Sequence, residues 1–289
     1  MEKPSRAGSA GLERLCGRDW IRSTDAEYGV EFFEAWFQGN PYQKHRHDTY
    51  AISLITSGVL AFDYRGSREI STPGQVVVLH PDVIHDGHAG TEDGFGYRQL
   101  YVEPALIFEA VQTVYPHNCS LPFVRAPVTL SRRLYGAIIS AFQGAREPLA
   151  IDSLIAQLAE GLIEADSSCK QPSNPRCVDV GALNRAREYL DTQKTRVVHS
   201  WELEAVTGLT RYDLARQFRI MCGTSPYRYL LMRRLDFARE QLARGRSLVE
   251  VAIQAGFADQ AHFSRMFKAT FGVTPARYRG LRAPESFKQ

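Results

Sequence analysis

The chain has 289 residues, 44% apolar and 23% charged, which excludes collagen-like, disordered and disulfide-scaffold classes and leaves enough apolar residue for two buried cores. The formal net charge is only +3, but residues 181–289 hold 19 Lys+Arg against 10 Asp+Glu, while the first 180 hold 16 against 22. An acidic front joined to a basic back third is the electrostatic footprint of a phosphate-backbone binder, with a solvated basic surface as the plain alternative.

Residues 1–24 read as a tail. Its basic start, MEKPSRAGSAGLERL, lacks the apolar segment of a secretory signal. No apolar run approaches the ~18 residues that cross a bilayer. The five cysteines (Cys16, Cys119, Cys169, Cys177 and Cys222) show no paired spacing, so reduced thiols in a cytoplasmic protein are expected.

Residues 25–165 are expected to form a sensing unit. Within 28–102, short runs such as YAISLITS, VLAFDYR and GQVVVLH, broken by Gly, Pro and Asp, read as strands. Residues 130–142 and 151–163 place Leu and Ile at three- and four-residue intervals and read as helices. Their apolar stripes serve either packing on the strands or a homodimer through residues 130–163. Residues 166–180, rich in Ser, Pro, Asn and Lys, have linker composition.

Residues 181–283 then read as all helix, and they contain a repeat. Residues 218–230, FRIMCGTSPYRYL, return as 267–279, FKATFGVTPARYR. Gly223 matches Gly272, Ser225-Pro226 matches Thr274-Pro275, and Arg228-Tyr229 matches Arg277-Tyr278. Each copy says the same thing: a glycine ends one helix, a hydroxyl caps the next, and proline fits its first turn. Upstream, Gly208 and Gly256 each close a short helix before a tight turn, which makes two helix-turn-helix units. Thr210 and Asp213 suggest a capping box on the first, and Asp259 a cap on the second. Residues 227–243 carry no helix breaker and predict a rigid strut of roughly 25 Å between the units. Neighbouring major grooves on one DNA face lie ~34 Å apart, within reach of such a pair. A helical bundle that binds protein is the competing reading.

The stretch GFADQAHFSRMFKATFGVTPARYR resembles the signature of the AraC/XylS family of transcription regulators, and the resemblance spans about 181–282. It implies seven helices with a recognition helix in each unit, at 210–220 and 259–270. On the first, the exposed N-terminal face offers Arg211, Tyr212, Ala215 and Arg216; on the second, the matching positions are Gln260, Ala261, Ser264 and Arg265. Arg suits guanine O6 and N7, Gln suits adenine, and an alanine methyl suits thymine. Arg219, His262 and Lys268 are assigned to phosphates. Two departures, Glu204 and Gln217, predict looser packing in the first unit.

The front half resembles the cupin sensor of the same family over roughly 25–105. Gly39, five residues and His45-Arg-His47 fit the first cupin motif, Gly58 falls where that motif expects glycine, and PGQVVVLHPDVIH ends at His85 like the second. Ala51 stands where metal cupins carry glutamate, so neither metal nor cofactor is expected, and His45, His47 and His85, with Tyr50, His80, Arg98 and Tyr101, become polar contacts for an organic effector. The expected fold is α+β: a cupin-like β-barrel with appended helices, then an all-α domain with two helix-turn-helix units. The expected function is a regulator, more often an activator in this family, that binds double-stranded operator DNA and a small-molecule effector and works with RNA polymerase. A metal-dependent cupin enzyme fused to a DNA-binding module and a ligand-independent architectural DNA binder are the alternatives.

Overall fold

Strands come first in the computed structural model, which describes residues 19–24, 28–39, 41–115, 120–144, 147–166 and 178–281. They are β1 (Trp20–Ser23), β2 (Val30–Phe37), β3 (Tyr42–His45), β4 (Tyr50–Gly58), β5 (Leu60–Tyr64), β6 (Ser67–Ser71), β7 (Val76–Leu79), β8 (His85–Ala89) and β9 (Phe95–Val102). Helix α1 (Pro104–Val114), a short β10 (Val128–Thr129), α2 (Arg132–Gln143) and α3 (Pro148–Ala165) complete the front half. Seven helices follow: α4 (Val180–Thr192), α5 (Ser200–Thr207), α6 (Arg211–Cys222), α7 (Pro226–Ala243), α8 (Leu248–Gln254), α9 (Gln260–Phe271) and α10 (Pro275–Leu281).

Two antiparallel sheets face each other, one in the order β1-β2-β9-β4-β7-β10 and the other β3-β8-β5-β6. Side chains alternate across the first sheet. Ala51 and Ile55 of β4 with Phe95 and Tyr97 of β9 face the interior. Tyr50, Ile52 and Leu54, with Leu100 and Val102, turn outward into a second core built with α1, α2 and α3. Both faces are covered, so β4 reads as a continuous buried run rather than an alternating one. Gly58 ends β4 at φ +65°, and a Cβ there would sit 1.9 Å from the Gly94 carbonyl oxygen. Only glycine allows the chain to cross at that distance.

Three expectations change. The tail at 1–24 gives Trp20–Ser23 to the sheet, paired with β2 from Trp20↔Trp36 to Ser23↔Phe33. Helix α1 lies where no helix was placed; its Pro104 occupies the first turn, where a missing N–H costs nothing. Thr210 caps α6 by accepting from the Asp213 amide, but the return bond of a capping box is made at Ser247 and Glu250 instead, where the Ser247 amide donates to Glu250 Oε2 at 3.2 Å. Asp213 is one methylene shorter than the glutamate such a box uses. Cys222 is free and buried, and the other four cysteines lie outside the described residues, as do linker positions 167–177.

Helix α7 belongs to two cores. Its Tyr229 and Leu230 pack with α4, α5 and α6, and with Ala105 and Phe108 of α1. Its Leu231, Met232, Leu235, Ala238 and Leu242 pack with α8, α9 and α10 in a cluster that runs on into the barrel interior. At 18 residues it spans ~27 Å. The helical domain therefore sits on the barrel through two separate contacts, one for each helix-turn-helix unit.

Candidate effector cavity and nucleic-acid interface

Strand parity sets the barrel interior. His45 of β3 and His85 of β8 are register partners, and His47 follows β3 on the same parity as His45. Their rings gather with centroids 4.4 Å (His45–His85), 4.9 Å (His47–His85) and 6.3 Å (His45–His47) apart, and Tyr101 lies 5.3 Å from His47. Each imidazole is held the same way. Nδ1 bonds a carbonyl two residues away: Gln43 O at 2.8 Å for His45, Thr49 O at 2.8 Å for His47 and Val83 O at 2.9 Å for His85. A carbonyl can only accept, so Nδ1 carries the proton and Nε2 is left as an acceptor.

Burial keeps these rings neutral. It lowers His45 to about 4 and His47 to about 3, where the neighbouring His45 pushes the same way, and it drives His85 well below the usual imidazole range. Fixing Nδ1 through a backbone carbonyl is also how proteins orient metal-binding histidines. Among the described residues, however, no three His, Cys, Asp or Glu side chains are arranged to hold a metal ion. Apart from the Asp86 carboxylate, which accepts from the Asp63 amide at 2.7 Å, the interior presents neutral hydrogen-bonding groups. Besides the imidazoles, Ser53 donates to Gln99 Oε1 at 2.5 Å, and the Tyr42 and Tyr97 hydroxyls meet at 2.7 Å. Phe62, Phe95 and Leu79 supply the apolar wall.

The other three expected effector contacts point elsewhere. Tyr50 and Arg98 sit on the outward parity of β4 and β9. The Tyr50 hydroxyl donates to Pro122 O at 2.7 Å, and Arg98 pairs with Glu34 at 2.9 Å with its guanidinium over the Phe142 ring. His80 is spent on structure: its Nε2 accepts from the Val124 amide at 3.0 Å and its Nδ1 meets the Tyr64 hydroxyl at 2.7 Å.

The barrel mouth opens toward the second helix-turn-helix unit. A cavity of about 860 Å³, counting space open to solvent, lies between Glu31, Tyr42, His45 and His47 on the barrel side and Arg233, Arg239, Thr270 and Tyr278 on the helical side. It shares Tyr42, His45, His47 and Tyr101 with the barrel interior. Arginines of α7 clamp its rim. Arg239 grips Glu31 with both terminal nitrogens, at 2.9 and 2.6 Å. Arg233 reaches Asp48 at 3.1 Å, Asp236 at 3.2 Å and Glu103 at 3.4 Å, and Arg187 of α4 also pairs with Glu103. Arg228 forms an ion pair with Asp82 at 2.9 Å. Burial pushes the Asp48 carboxyl up to about 6, against the pull of Arg233. Apart from the i,i+3 pair of Arg233 and Asp236, these carboxylate and arginine contacts join residues far apart in the chain, and none is legible in the sequence.

The expected DNA-reading residues fall on the first turns of α6 and α9 and along one face of each. Arg211, Tyr212, Ala215, Arg219, Gln260, Ala261 and Arg265 are exposed, and Tyr212 is 82% so. Arg216, His262, Ser264 and Lys268 are half-buried. Two have local partners: Arg216 pairs with Asp213 at 3.5 Å, and the His262 ring packs edge-on against Phe257. Arg211 is held by Glu204, which accepts from its Nε at 3.0 Å, from its second terminal nitrogen at 3.0 Å and from its amide at 2.8 Å. The second departure, Gln217, is buried, and its Oε1 accepts from the Asp179 amide at 2.7 Å. Both departures from the family pattern therefore make specific bonds, where looser packing had been expected.

Known proteins match this arrangement in both halves. The family model of the AraC-like ligand-binding domain matches residues 27–159, and that of a helix-turn-helix domain matches 203–280. The transcriptional activator RhaS of Yersinia pseudotuberculosis is 26% identical over 270 residues, 89% of this chain and 95% of its own length. An uncharacterized helix-turn-helix regulator, YbfI of Bacillus subtilis, is 26% identical over 232 residues, 76% of this chain and 81% of its own. Among solved structures, an apo single-residue variant of ToxT from Vibrio cholerae superposes with a TM-score of 0.61 at 13% identity, covering 90% of this chain and all of that one, and so shares the fold.

Proposed function

The chain belongs to the AraC family of transcription regulators, and on that premise we propose that its barrel interior, through His45, His47, His85 and Tyr101, takes up an effector that alters how α6 and α9 are presented to DNA. A ligand-binding domain joined to a DNA-binding domain is the family's plan, and transcription regulation is the function that goes with it. The observation that carries the proposal is the placement of the two recognition helices. Their N-terminal residues Tyr212 and Gln260 are exposed, while their C-terminal ends lie against the barrel, Gly223 on Pro81 and Ala269 within a backbone bond of Arg46. A change in barrel occupancy thus acts at the far end of each reading helix.

In this reading residues 25–165 sense, 166–180 link and 181–283 bind the operator. Arg216 and Arg265 read bases, and Arg219 and Lys268 hold phosphates. Arg211 is ranked below them because Glu204 already holds it. Activation is the sign that the activator RhaS supports by its name, and work with RNA polymerase in the cytoplasm is part of the same proposal. A homodimer through α2 and α3 uses their exposed face at Tyr135 and Leu149, since the other face is buried on the barrel.

Selection of bound DNA from a random pool by the full chain tests the proposal. Enrichment of a bipartite site, with affinity that shifts when cell extract supplies the effector and fails to shift in His47→Ala, is the expected result. Recovery of no preferred sequence overturns it.

A further inference from the structure

The cavity between the barrel and the second helix-turn-helix unit has a composition that its ion pairs do not use up. Four carboxylates line it: Glu31, Asp48, Glu103 and Asp236. Among the described residues only two guanidiniums do, Arg233 and Arg239, and a third, Arg187, meets Glu103 without being part of the lining. The cluster therefore carries one more carboxylate than guanidinium. Glu31 and Asp48 are buried at 6% and 5% exposure, so bulk water does little to offset the excess.

Two further features face the same space. The Thr270 Oγ1 and the Tyr278 hydroxyl are buried, in residues 2% and 4% exposed, with no hydrogen-bond partner among the described residues, and both residues line the cavity. His45 and His47 line it too, and each has Nε2 left to accept a hydrogen bond. Around them stand the rings of Phe33, Phe37, Tyr42 and Tyr101, with Phe33 and Tyr101 edge-to-face at 6.0 Å and Phe37 and Tyr42 at 5.3 Å. Surplus carboxylate, neutral acceptors and aromatic faces favour one kind of ligand, a cation that donates hydrogen bonds from an apolar body.

We infer that this interdomain cavity binds a small organic monocation, an amine on an aromatic or aliphatic frame, whose charge completes the carboxylate cluster. An anion would meet four carboxylates. A neutral polyol would satisfy the hydroxyls and leave the charge uncompensated. The inference rests on the effector-sensing reading of the front half and names the chemical class and location of that effector.

The test uses the full chain and three probes of similar size that differ in charge: benzylamine, benzyl alcohol and benzoate. Isothermal titration should show benzylamine binding on the order of tenfold tighter than either of the others. Asp48→Asn should abolish that preference. Thr270→Val, nearly isosteric and without charge, should weaken benzylamine by a few-fold and carries the test if Asp48→Asn fails to fold by circular dichroism. Equal or tighter binding of benzoate or benzyl alcohol, benzylamine binding unchanged in a folded variant, or no benzylamine binding at millimolar concentration overturns the inference. Operator affinity measured alongside separates the two readings. Amine binding with no change in operator affinity leaves the site standing and overturns the effector reading. A ligand of another class that binds the barrel and shifts operator affinity, with benzylamine inert, does the reverse.

Discussion

Gly223 and Gly272, equivalent positions of the internal repeat, both press against the barrel. A Cβ on Gly223 would lie 2.8 Å from Pro81 Cβ, and one on Gly272 would lie 3.1 Å from a ring carbon of Tyr42 and 3.2 Å from His45 Nδ1. Both are left-handed, at φ +70° and +72°, because each ends a recognition helix. The residue that stops each proposed reading helix is therefore also a point at which the barrel touches it.

Gly208 separates the two demands. It is equally left-handed, at φ +75°, but a Cβ there would meet nothing within 4 Å. Gly208→Ala should cost only the conformational strain, about 1–2 kcal/mol. Gly223→Ala should cost that plus overpacking against a proline ring that cannot rotate away, about 2–4 kcal/mol in all. Equal losses in urea unfolding of the two variants would mean that the sensor contact at Gly223 contributes nothing.

The repeat was legible because its signals are local: a glycine stop, a hydroxyl cap and a proline start act within a few residues. The histidine cluster was legible for a similar reason, since His-x-His keeps two rings on one side of a strand. The misplacement of Tyr50 and Arg98 has a simple source. Both strands are covered on both faces, so hydrophobicity does not mark the interior. Parity relative to the lumen-facing Ala51, Tyr97 and Tyr101 would have placed them outside. Nothing in the sequence linked Arg239 to Glu31 or Arg233 to Asp48, because a basic residue within a basic helix looks like a solvated one until its partner 208 or 185 positions away is known. The interdomain cavity therefore stayed invisible.

The buried imidazoles set an acid limit on stability. His45, His80 and His85 join His47 in staying neutral in the fold at pH values where free imidazole is protonated; burial is the main cause in each. Below the usual imidazole value of about 6.5 the unfolded chain takes up protons that the folded chain refuses, so stability is fully present above that pH and falls as pH drops toward 4. Each such ring contributes a loss of about 2 kcal/mol between pH 7 and pH 5. Asp48, pushed up to about 6, acts oppositely in the same window because the folded state binds its proton more readily. Asp19 and Asp191, also raised by burial, act as Asp48 does, but these three carboxyls do not offset four imidazoles. The urea midpoint should therefore fall clearly from pH 7 to pH 5, and the fall should be shallower in His47→Gln. A flat midpoint would show that these rings are protonated in the fold.

Glu204 restrains an arginine of the proposed DNA-binding face. It pairs with Arg211 in a side-on geometry at the start of the first recognition helix and cancels its charge there. Glu204→Gln should release Arg211 to the phosphates. Non-specific DNA binding should then tighten, and the slope of log K against log salt should steepen by about 0.9, one added phosphate contact. Arg211→Ala in the natural background should change binding little. A large loss from Arg211→Ala, with no effect of Glu204→Gln, would return Arg211 to the base-reading set.

The two units should read two half-sites from one chain. Helix α7 is packed along its length, with Leu230 in the core of the first unit and Leu235, Ala238 and Leu242 in the core of the second, so the recognition helices are held by a single rigid element. At 18 residues it spans ~27 Å, and side-chain reach extends this toward the ~34 Å between successive major grooves on one DNA face. A footprint of about two helical turns is expected from one molecule. Arg216→Ala and Arg265→Ala should each cost about 1–3 kcal/mol and relax preference in a different half of the site, because they occupy equivalent places on α6 and α9. Lys268→Ala should weaken all sequences alike and reduce the salt slope by about 0.9. If both arginine variants lost preference in the same half, or if protection covered a single turn, one unit would be scaffold only. The repeat would then serve the sensor contact at its glycine and not the reading of DNA.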